Sequence, residues 1–321
     1  MRYAHVDVCR GIAILLVVLG HCFQSSGADL NRVILSFHMP LFFFLSGLFA
    51  KTMTIEFFRG VCLKAKKLLV PQITLSITII VLKASIWVSE GKSLADFDFL
   101  ACFGFWFLPV LFLCSLYYMI VSVIVDLTKT HNRIIVTSLS LMLAVLAILV
   151  HFDDIIAPMD WLVKSAVAMP FYFCGSFLKE RVLKVDARDG VTRSVILILL
   201  FPIIVILSQL NAPVLMYKNE YGSLPLFFLT SVLGILLVVD FSKRLGNMPI
   251  LEEFGKLSIA VYVWNFLIVG FSVRVLNRIL LMFGVDNETI LTAATFSVSM
   301  IILYLLSKWT YNKLPYLYGL K

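Results

Sequence analysis

The feature that most constrains this chain is an uncharged run of ten residues, 11–20, with Arg10 before it and His21 after it. A run this apolar forms a membrane helix or a deeply buried one. Eleven residues of α-helix turn through about 1100°, so Arg10 and His21 share one face, about 16 Å apart. Asp7 shares that face, three residues earlier. The stretch therefore predicts a helix that carries three ionisable groups into apolar surroundings, where such groups are costly and usually functional.

The composition extends this interpretation to the whole chain. Of 321 residues, 61% are hydrophobic and 14% are charged, whereas soluble domains have about 25% charged residues. The apolar residues form continuous blocks rather than a period-two alternation, which excludes a β-barrel. We therefore predict an all-α, polytopic membrane protein, one domain over residues 1–321 with about ten transmembrane helices. The blocks lie at about 11–25, 33–50, 68–89, 104–125, 134–151, 161–178, 194–210, 222–241, 257–283 and 290–309.

The basic residues indicate orientation rather than nucleic-acid binding. The net charge is +8, but Lys and Arg cluster in alternate loops. With the N-terminus in the cytoplasm, 20 of the 27 Lys and Arg residues fall on the cytoplasmic side and six on the other. This positive-inside bias predicts that both termini are cytoplasmic.

Familiar soluble-enzyme motifs are absent from the sequence. Six cysteines show no CxxC spacing and are interpreted as buried thiols, and no metal site is expected. Nucleotide-binding, hydrolase and metalloprotease signatures do not occur, and no inverted repeat suggests a transporter. Any chemistry must therefore take place between helices.

Two histidines are the first candidates for that chemistry. His21 lies well along an apolar helix, where a neutral imidazole is a good general base for an alcohol. His38 adds a second imidazole in a His-x-Pro segment, although that segment could simply be a kinked packing helix. Arg10 could act in the site or anchor the helix at the headgroup level, with Asp7 as its ion-pair partner.

Polar and aromatic groups near the predicted helix ends are further candidates. Lys64, Lys66 and Lys67 could bind a cytoplasmic polyanion, or anionic lipid. Asn265 within helix nine needs a partner, and helix–helix hydrogen bonding is the alternative to a functional role. Three residues toward the outside could line an acceptor pocket: Trp106, Asn219 and Tyr221. For Trp106 the alternative is a place in an aromatic belt at the membrane interface.

Taken in order, six segments resemble the acyltransferase-3 family of integral-membrane O-acyltransferases. The resemblance covers nearly the whole chain and follows the single-domain sugar O-acetyltransferases, without a fused SGNH esterase-like domain. The segments are VDVCRGIAILLVVLGH, SFHMPLFFFLSGLF, KAKKLLVP, FWFLPVLF, FYFCGSFLKE and GKLSIAVYVW.

The resemblance implies a ten-helix core in the bacterial cytoplasmic (inner) membrane. Such enzymes move an acyl group, usually acetyl, from cytoplasmic acyl-CoA to a hydroxyl of a cell-envelope glycan or lipid-linked sugar. They need no permanently bound cofactor, since acetyl-CoA is a co-substrate. The family's essential Arg and His correspond to Arg10 and His21. Many members have a histidine where this chain has Asn265.

These observations lead to a working assignment. His21 is the general base of a direct transfer, with Arg10 and Asp7 organising the catalytic site. Acyl-CoA is expected to be held by Arg10, Lys64, Lys66, Lys67 and His38, and the acceptor by Trp106, Asn219, Tyr221 and Asn265. The alternatives are a transporter or flippase of a lipid-linked sugar or acyl group, and a scaffold without chemistry.

Overall fold

The computed structural model describes residues 3–23, 28–51, 56–93, 96, 105–128, 157–184, 191–246 and 248–320. Within these ranges the chain is almost entirely helical, apart from two 3₁₀ turns and an isolated bridge between Leu215 and Glu220. The α-helices are α1 (Ala4–Cys22), α2 (Asp29–Gly47), α3 (Phe57–Ser89), α4 (Phe107–Thr128), α5 (Ala157–Leu183), α6 (Val191–Leu210), α7 (Leu224–Leu245), α8 (Pro249–Lys256), α9 (Ser258–Met282) and α10 (Glu288–Lys313).

The prediction of an all-α polytopic membrane protein is confirmed. In the described ranges, eight helices are long and apolar enough to cross a membrane: α1 to α5, α7, α9 and α10. Helix α6 contains a shorter apolar stretch, Leu197–Leu210. The predicted block at 134–151 lies outside the described residues.

The ends of the helices differ from the ends of the predicted apolar blocks. Helix α3 begins at Phe57 and has 33 residues, about 50 Å of helix, against about 30 Å of bilayer hydrocarbon. The lysines at 64, 66 and 67 therefore lie on α3 and not in a loop before it. Conversely, His21 lies in the last turn of α1 and not well within it. Hydropathy detects the lipid-facing part of a helix, whereas backbone hydrogen bonding decides where it ends.

One end of the bundle, here called the basic end, joins the start of α1 to the ends of α5 and α7. The His5 Nε2 atom donates a hydrogen bond to the Val182 carbonyl, 3.0 Å away. Lys243 Nζ donates to the carbonyls of Arg181 and Lys184 at 3.0 and 2.9 Å. These side chains supply donors to carbonyls that the helix end leaves without intrahelical partners.

Glycines bring pairs of helix backbones into direct contact near this end. A Cβ atom at Gly47 would lie 1.9 Å from the Tyr172 carbonyl oxygen, and one at Gly175 would lie 2.0 Å from that of Phe44. The pair therefore joins α2 and α5 by a reciprocal contact. Only residues without a side chain permit this approach, as in small-residue interfaces of membrane helices.

A second reciprocal pair holds the short helix α8 against α1. A Cβ atom at Gly11 would lie 2.1 Å from the Leu251 carbonyl oxygen, and one at Gly255 would lie 1.9 Å from that of Asp7. The sequence analysis did not predict α8, because eight residues of mixed polarity give no transmembrane signal. The contact places α8 beside the turn of α1 that carries Asp7 and Arg10.

Helix α8 is also tied to α10 through Glu253. The carboxylate accepts hydrogen bonds from Lys308 Nζ at 2.8 Å and from the Tyr304 hydroxyl at 2.7 Å. These donors hold the pKa of Glu253 below its usual value. Helix α8 thus links α1 to α10 at the basic end.

The glycine contacts generate a stability prediction. We expect Gly175→Ala to lower the thermal midpoint of the purified protein, because the added methyl group collides with the Phe44 carbonyl and overpacking costs about 1–3 kcal/mol. Gly270→Ala is the matched control, since a Cβ atom there meets nothing within 4 Å. Thermal unfolding in detergent measures both. Equal midpoints for the two variants would contradict the proposed role of the α2–α5 contact.

Candidate functional site

A cavity of about 190 Å³ lies between α1, α2, α3, α4 and α9. Its wall is mainly apolar, with the Arg10 guanidinium, two serines and a tyrosine as the strongly polar exceptions. Such a cavity, apolar with a few placed polar groups, is typical of small-molecule sites. The lining residues are Arg10, Ile14, Val17, Met39, Phe42, Leu45, Ser46, Leu68, Phe107, Leu108, Leu111, Ser258, Ile259 and Tyr262.

Arg10 reaches the cavity as part of an ion pair. Its guanidinium Nη1 atom lies 3.6 Å from Asp7 Oδ1, which confirms the predicted Asp7–Arg10 pairing. The Asp7 side chain is buried, whereas the Arg10 side chain is 31% exposed. The guanidinium carbon also lies 4.7 Å from the centre of the Phe49 ring, a favourable cation–π distance. The pairing and the ring hold the Arg10 charge at the cavity wall.

Positive charge is concentrated beside Arg10. Lys64 is half-buried and interacts electrostatically with Lys67, Lys51 and Arg10. We call Lys51, Lys64, Lys66 and Lys67 the lysine cluster. Within the described part of the chain, no carboxylate forms an ion pair with any of its members. The residue that follows the cluster on α3, Leu68, lines the cavity. The cluster therefore lies beside the end of the cavity that Arg10 lines.

His21 lies further along the face of α1 that lines the cavity. Arg10, Ile14 and Val17 contribute to the wall, and the next residue at this four–three–four spacing is His21. Its side chain is exposed in the last turn of α1 and does not itself form the wall. The structure therefore places Arg10 and His21 on one helix face, with the cavity beginning at the first and extending toward the second.

His38 lies near His21, whereas its predicted assignment to acyl-CoA binding stays a prediction. It precedes Phe42 and Leu45, two wall residues, by one and two turns of α2. The two imidazoles are close enough to interact electrostatically. The buried His38 ring donates from Nδ1 to the Ile34 carbonyl at 2.7 Å, so its neutral form carries a lone pair on Nε2.

Asn265 approaches the same region from α9. It lies three residues after Tyr262, the last wall residue of that helix. Its side chain is only 2% exposed, and no described residue donates a hydrogen bond to its Oδ1 atom. A buried amide oxygen without a donor is costly, and native proteins retain few of them. The atom is therefore a candidate acceptor for a ligand hydroxyl.

Three of the helices that line the cavity carry a polar side chain beyond it. Helices α1, α2 and α9 each line the cavity. His21 and Asn265 lie about one turn beyond the last wall residues of α1 and α9, and His38 lies one residue beyond Met39, the corresponding wall residue of α2. The lysine cluster and Arg10 occupy the other end. This gives an elongated site with a cationic end and an end rich in neutral nitrogen and oxygen groups.

Two of the predicted acceptor residues belong to a separate buried network. Asn219 donates to Asp160 Oδ1 at 2.6 Å and accepts from the Tyr221 hydroxyl at 3.2 Å. Asp160 also pairs with Lys164, which is 1% exposed. Burial raises the pKa of Tyr221, and the Asp160 carboxylate raises it further. The network attaches the segment between α6 and α7 to α5, and the assignment of these residues to acceptor binding stays a prediction.

Trp106 packs among aromatic rings at the start of α4. Its ring lies 6.3 Å from that of Phe43 and 6.1 Å from that of Phe107, centre to centre. Phe107 lines the cavity and also contacts Tyr262 at 5.4 Å. Trp106 is thus one layer behind the wall. Tyr262, which the sequence analysis did not select, does reach the wall, and its position three residues before Asn265 could have indicated it.

Comparisons with known proteins agree with the sequence resemblance. A family profile described as an acyltransferase domain matches residues 3–309. Neither the curated proteins nor the solved structures contain a significant match. The matched range begins just before α1 and ends within the last turns of α10.

The unpartnered amide oxygen generates a second prediction. We expect Asn265→Val to leave the thermal midpoint unchanged or raise it by a few degrees, because the substitution removes a buried polar group whose unmade hydrogen bond costs about 1–3 kcal/mol. Thermal unfolding in detergent measures it, with Asn211→Val as the control. Asn211 makes its hydrogen bonds, to the Tyr221 carbonyl and the Ser223 N–H, so its loss should lower the midpoint. A comparable loss in Asn265→Val would show that the amide has a structural partner.

Proposed function

Because the chain belongs to the acyltransferase-3 family, we propose that it is an O-acyltransferase that transfers an acetyl group from acetyl-CoA to a sugar hydroxyl. The acceptor we propose is a cell-envelope glycan or a lipid-linked sugar. One observation supports the proposal: Arg10, beside the lysine cluster, lines a cavity whose wall is formed in part by the helices that carry His21, His38 and Asn265.

The cationic end suits the donor. Coenzyme A carries phosphate and pyrophosphate groups, and the lysine cluster with Arg10 offers positive charge without paired carboxylates on the lysines. Acyl-CoA is made in the cytoplasm, and the positive-inside bias of the sequence supports a cytoplasmic basic end. The pantetheine arm would then lie along the apolar wall. It would bring the thioester toward His21, about 16 Å along α1 from Arg10.

The opposite end suits the transfer step. The neutral imidazole of His21 takes the proton of the acceptor hydroxyl while the oxygen attacks the thioester carbonyl carbon. The carbon–sulfur bond then breaks, and the coenzyme leaves as a thiolate toward the basic end. The amide oxygen of Asn265 is suited to accept a hydrogen bond from a second hydroxyl of the sugar and so orient it.

Direct transfer is proposed in place of an acyl-enzyme. The thiol of Cys22, the residue that follows His21, is buried and donates to the Val18 carbonyl at 3.2 Å. Adjacent helix positions point about 100° apart, so the Cys22 thiol is directed away from the face that lines the cavity.

His21→Ala tests the catalytic step. We expect acetyl transfer to fall by about 10²–10⁴-fold, the usual contribution of a general base, with an unchanged thermal midpoint because the His21 side chain is exposed. The assay measures labelled acetyl groups passing from acetyl-CoA to the glycolipid fraction of membrane vesicles.

Cys22→Ala is the matched control and should retain activity; its inactivity in a folded protein would favour an acyl-enzyme. An inert wild-type protein that moves lipid-linked sugar would favour the transporter alternative.

Replacement of the lysine cluster tests the donor end. We expect Lys64→Ala/Lys66→Ala/Lys67→Ala to raise KM for acetyl-CoA at least tenfold with little change in kcat, because the lysines contact the non-reacting part of the donor. The effect should weaken as salt is added. Lys83→Ala is the control, since Lys83 is exposed on the same helix about 24 Å from Lys67. Equal KM values for the two variants would exclude the cluster from donor binding.

A further inference from the structure

We propose that His38 is the positioning residue for His21, and that its Nε2 lone pair accepts a hydrogen bond from the His21 imidazole during acyl transfer. The inference rests on the proposed function, and it assigns His38 to the proton-transfer end of the site. His38 does not touch the substrate in this arrangement. It acts through His21, as the orienting group of a base does in other acyl-transfer sites.

The helix directions bring the two imidazoles toward each other. Helices α1 and α2 are antiparallel neighbours, and side chains in a helix tilt toward its N-terminus. The His21 side chain on α1 therefore tilts toward the basic end, and that of His38 on α2 tilts away from it. The His38 hydrogen bond to Ile34, one turn nearer the start of α2, agrees with this direction.

The packing of Gly20 fixes the level at which the helices meet. A Cβ atom at Gly20 would lie 3.6 Å from Ile34 Cγ2 and 3.6 Å from Asn31 Oδ1, which is ordinary van der Waals contact. The residue before His21 is therefore packed on the residue whose carbonyl holds the His38 ring. The histidines approach this level from its two sides, and they are close enough to interact electrostatically.

The hydrogen-bonding roles of the two rings are complementary. Nδ1 of His38 donates to a backbone carbonyl, so Nε2 of the neutral ring can only accept. A neutral His21 that takes a proton through one nitrogen carries an N–H on the other. No carboxylate in the described part of the chain interacts with His21, and Asp7 is 14 residues away, paired with Arg10. His38 is thus the acceptor best placed to orient this N–H.

The transfer balances with His38 in this role. The proton of the acceptor hydroxyl moves to His21 while the oxygen forms the new carbon–oxygen bond. His38 Nε2 stabilises the resulting imidazolium through the second N–H. The carbon–sulfur bond breaks, the electron pair leaves on the thiolate, and the exposed His21 then releases its proton to water. His38 gains no proton, so its bond to Ile34 stays intact.

Two substitutions distinguish positioning from a structural role. Asn at position 38 can keep an N–H near Nδ1 for the Ile34 carbonyl but offers nothing at Nε2. Gln reaches the Nε2 position with an amide oxygen that can accept, but gives up the bond to Ile34. We therefore expect His38→Asn to keep the thermal midpoint and lose about 10–100-fold in kcat. We expect His38→Gln to retain more of the kcat despite a lower midpoint, and both variants to keep KM for acetyl-CoA within about threefold.

The experiment uses the purified full chain in detergent with labelled acetyl-CoA and glycolipid from membrane vesicles, measuring kcat, KM and thermal midpoint. Greater activity in His38→Asn than in His38→Gln, in parallel with their midpoints, would overturn the inference and make His38 structural. A rise in KM without a fall in kcat would also overturn it, and would return His38 to donor binding. An active wild type with either result leaves the proposed function standing, whereas an inactive wild type overturns both.

Discussion

The contact on which the rest of the structure depends is the direct approach of helix backbones at paired glycines. Within a membrane, an apolar side chain gains little free energy when it exchanges contact with lipid for contact with another helix. Helix association therefore relies on close packing. Gly47 and Gly175 supply such packing between α2 and α5, and Gly11 and Gly255 supply it between α1 and α8. All four of these glycines occur in the segments that carry the family resemblance. The segments that carry the resemblance therefore also supply the closest contacts between helices.

This packing explains how a charged group can be kept beside an apolar cavity. Asp7 is buried with its carbonyl against Gly255, one turn from the guanidinium it pairs with. Burying an isolated charge would be prohibitive, but an ion pair held by a rigid neighbouring backbone costs far less. Helix α8 is itself anchored by the Glu253–Lys308 pair. The position of Arg10 at the cavity thus depends on contacts reaching from α1 through α8 to α10.

The sequence alone predicted the membrane class, the shared face of Arg10 and His21, and the Asp7–Arg10 pair, because each follows from composition or from local helical spacing. It missed the depth of His21, the helical setting of the lysines and helix α8, since helix ends depend on capping and packing rather than on hydropathy. It could not place His38 against His21, or Asn265 beyond Tyr262, because those relations join separate helices. Asn219 and Tyr221 were predicted to lie toward the outside, and their hydrogen-bond network with Asp160 could not be predicted because it joins separate segments of the chain.

If the chain transfers an acyl group as proposed, the location of His21 at the end of α1 suits a reaction between two substrates of opposite character. A donor with a polyanionic head requires a cationic entrance and an apolar passage for its arm, which the lysine cluster and the cavity provide. A sugar acceptor is polar and is poorly suited to an apolar interior, so the transfer step belongs where the passage meets the opposite surface. In this proposal the eleven-residue spacing from Arg10 to His21, about 16 Å of helix, sets the distance between donor binding and transfer.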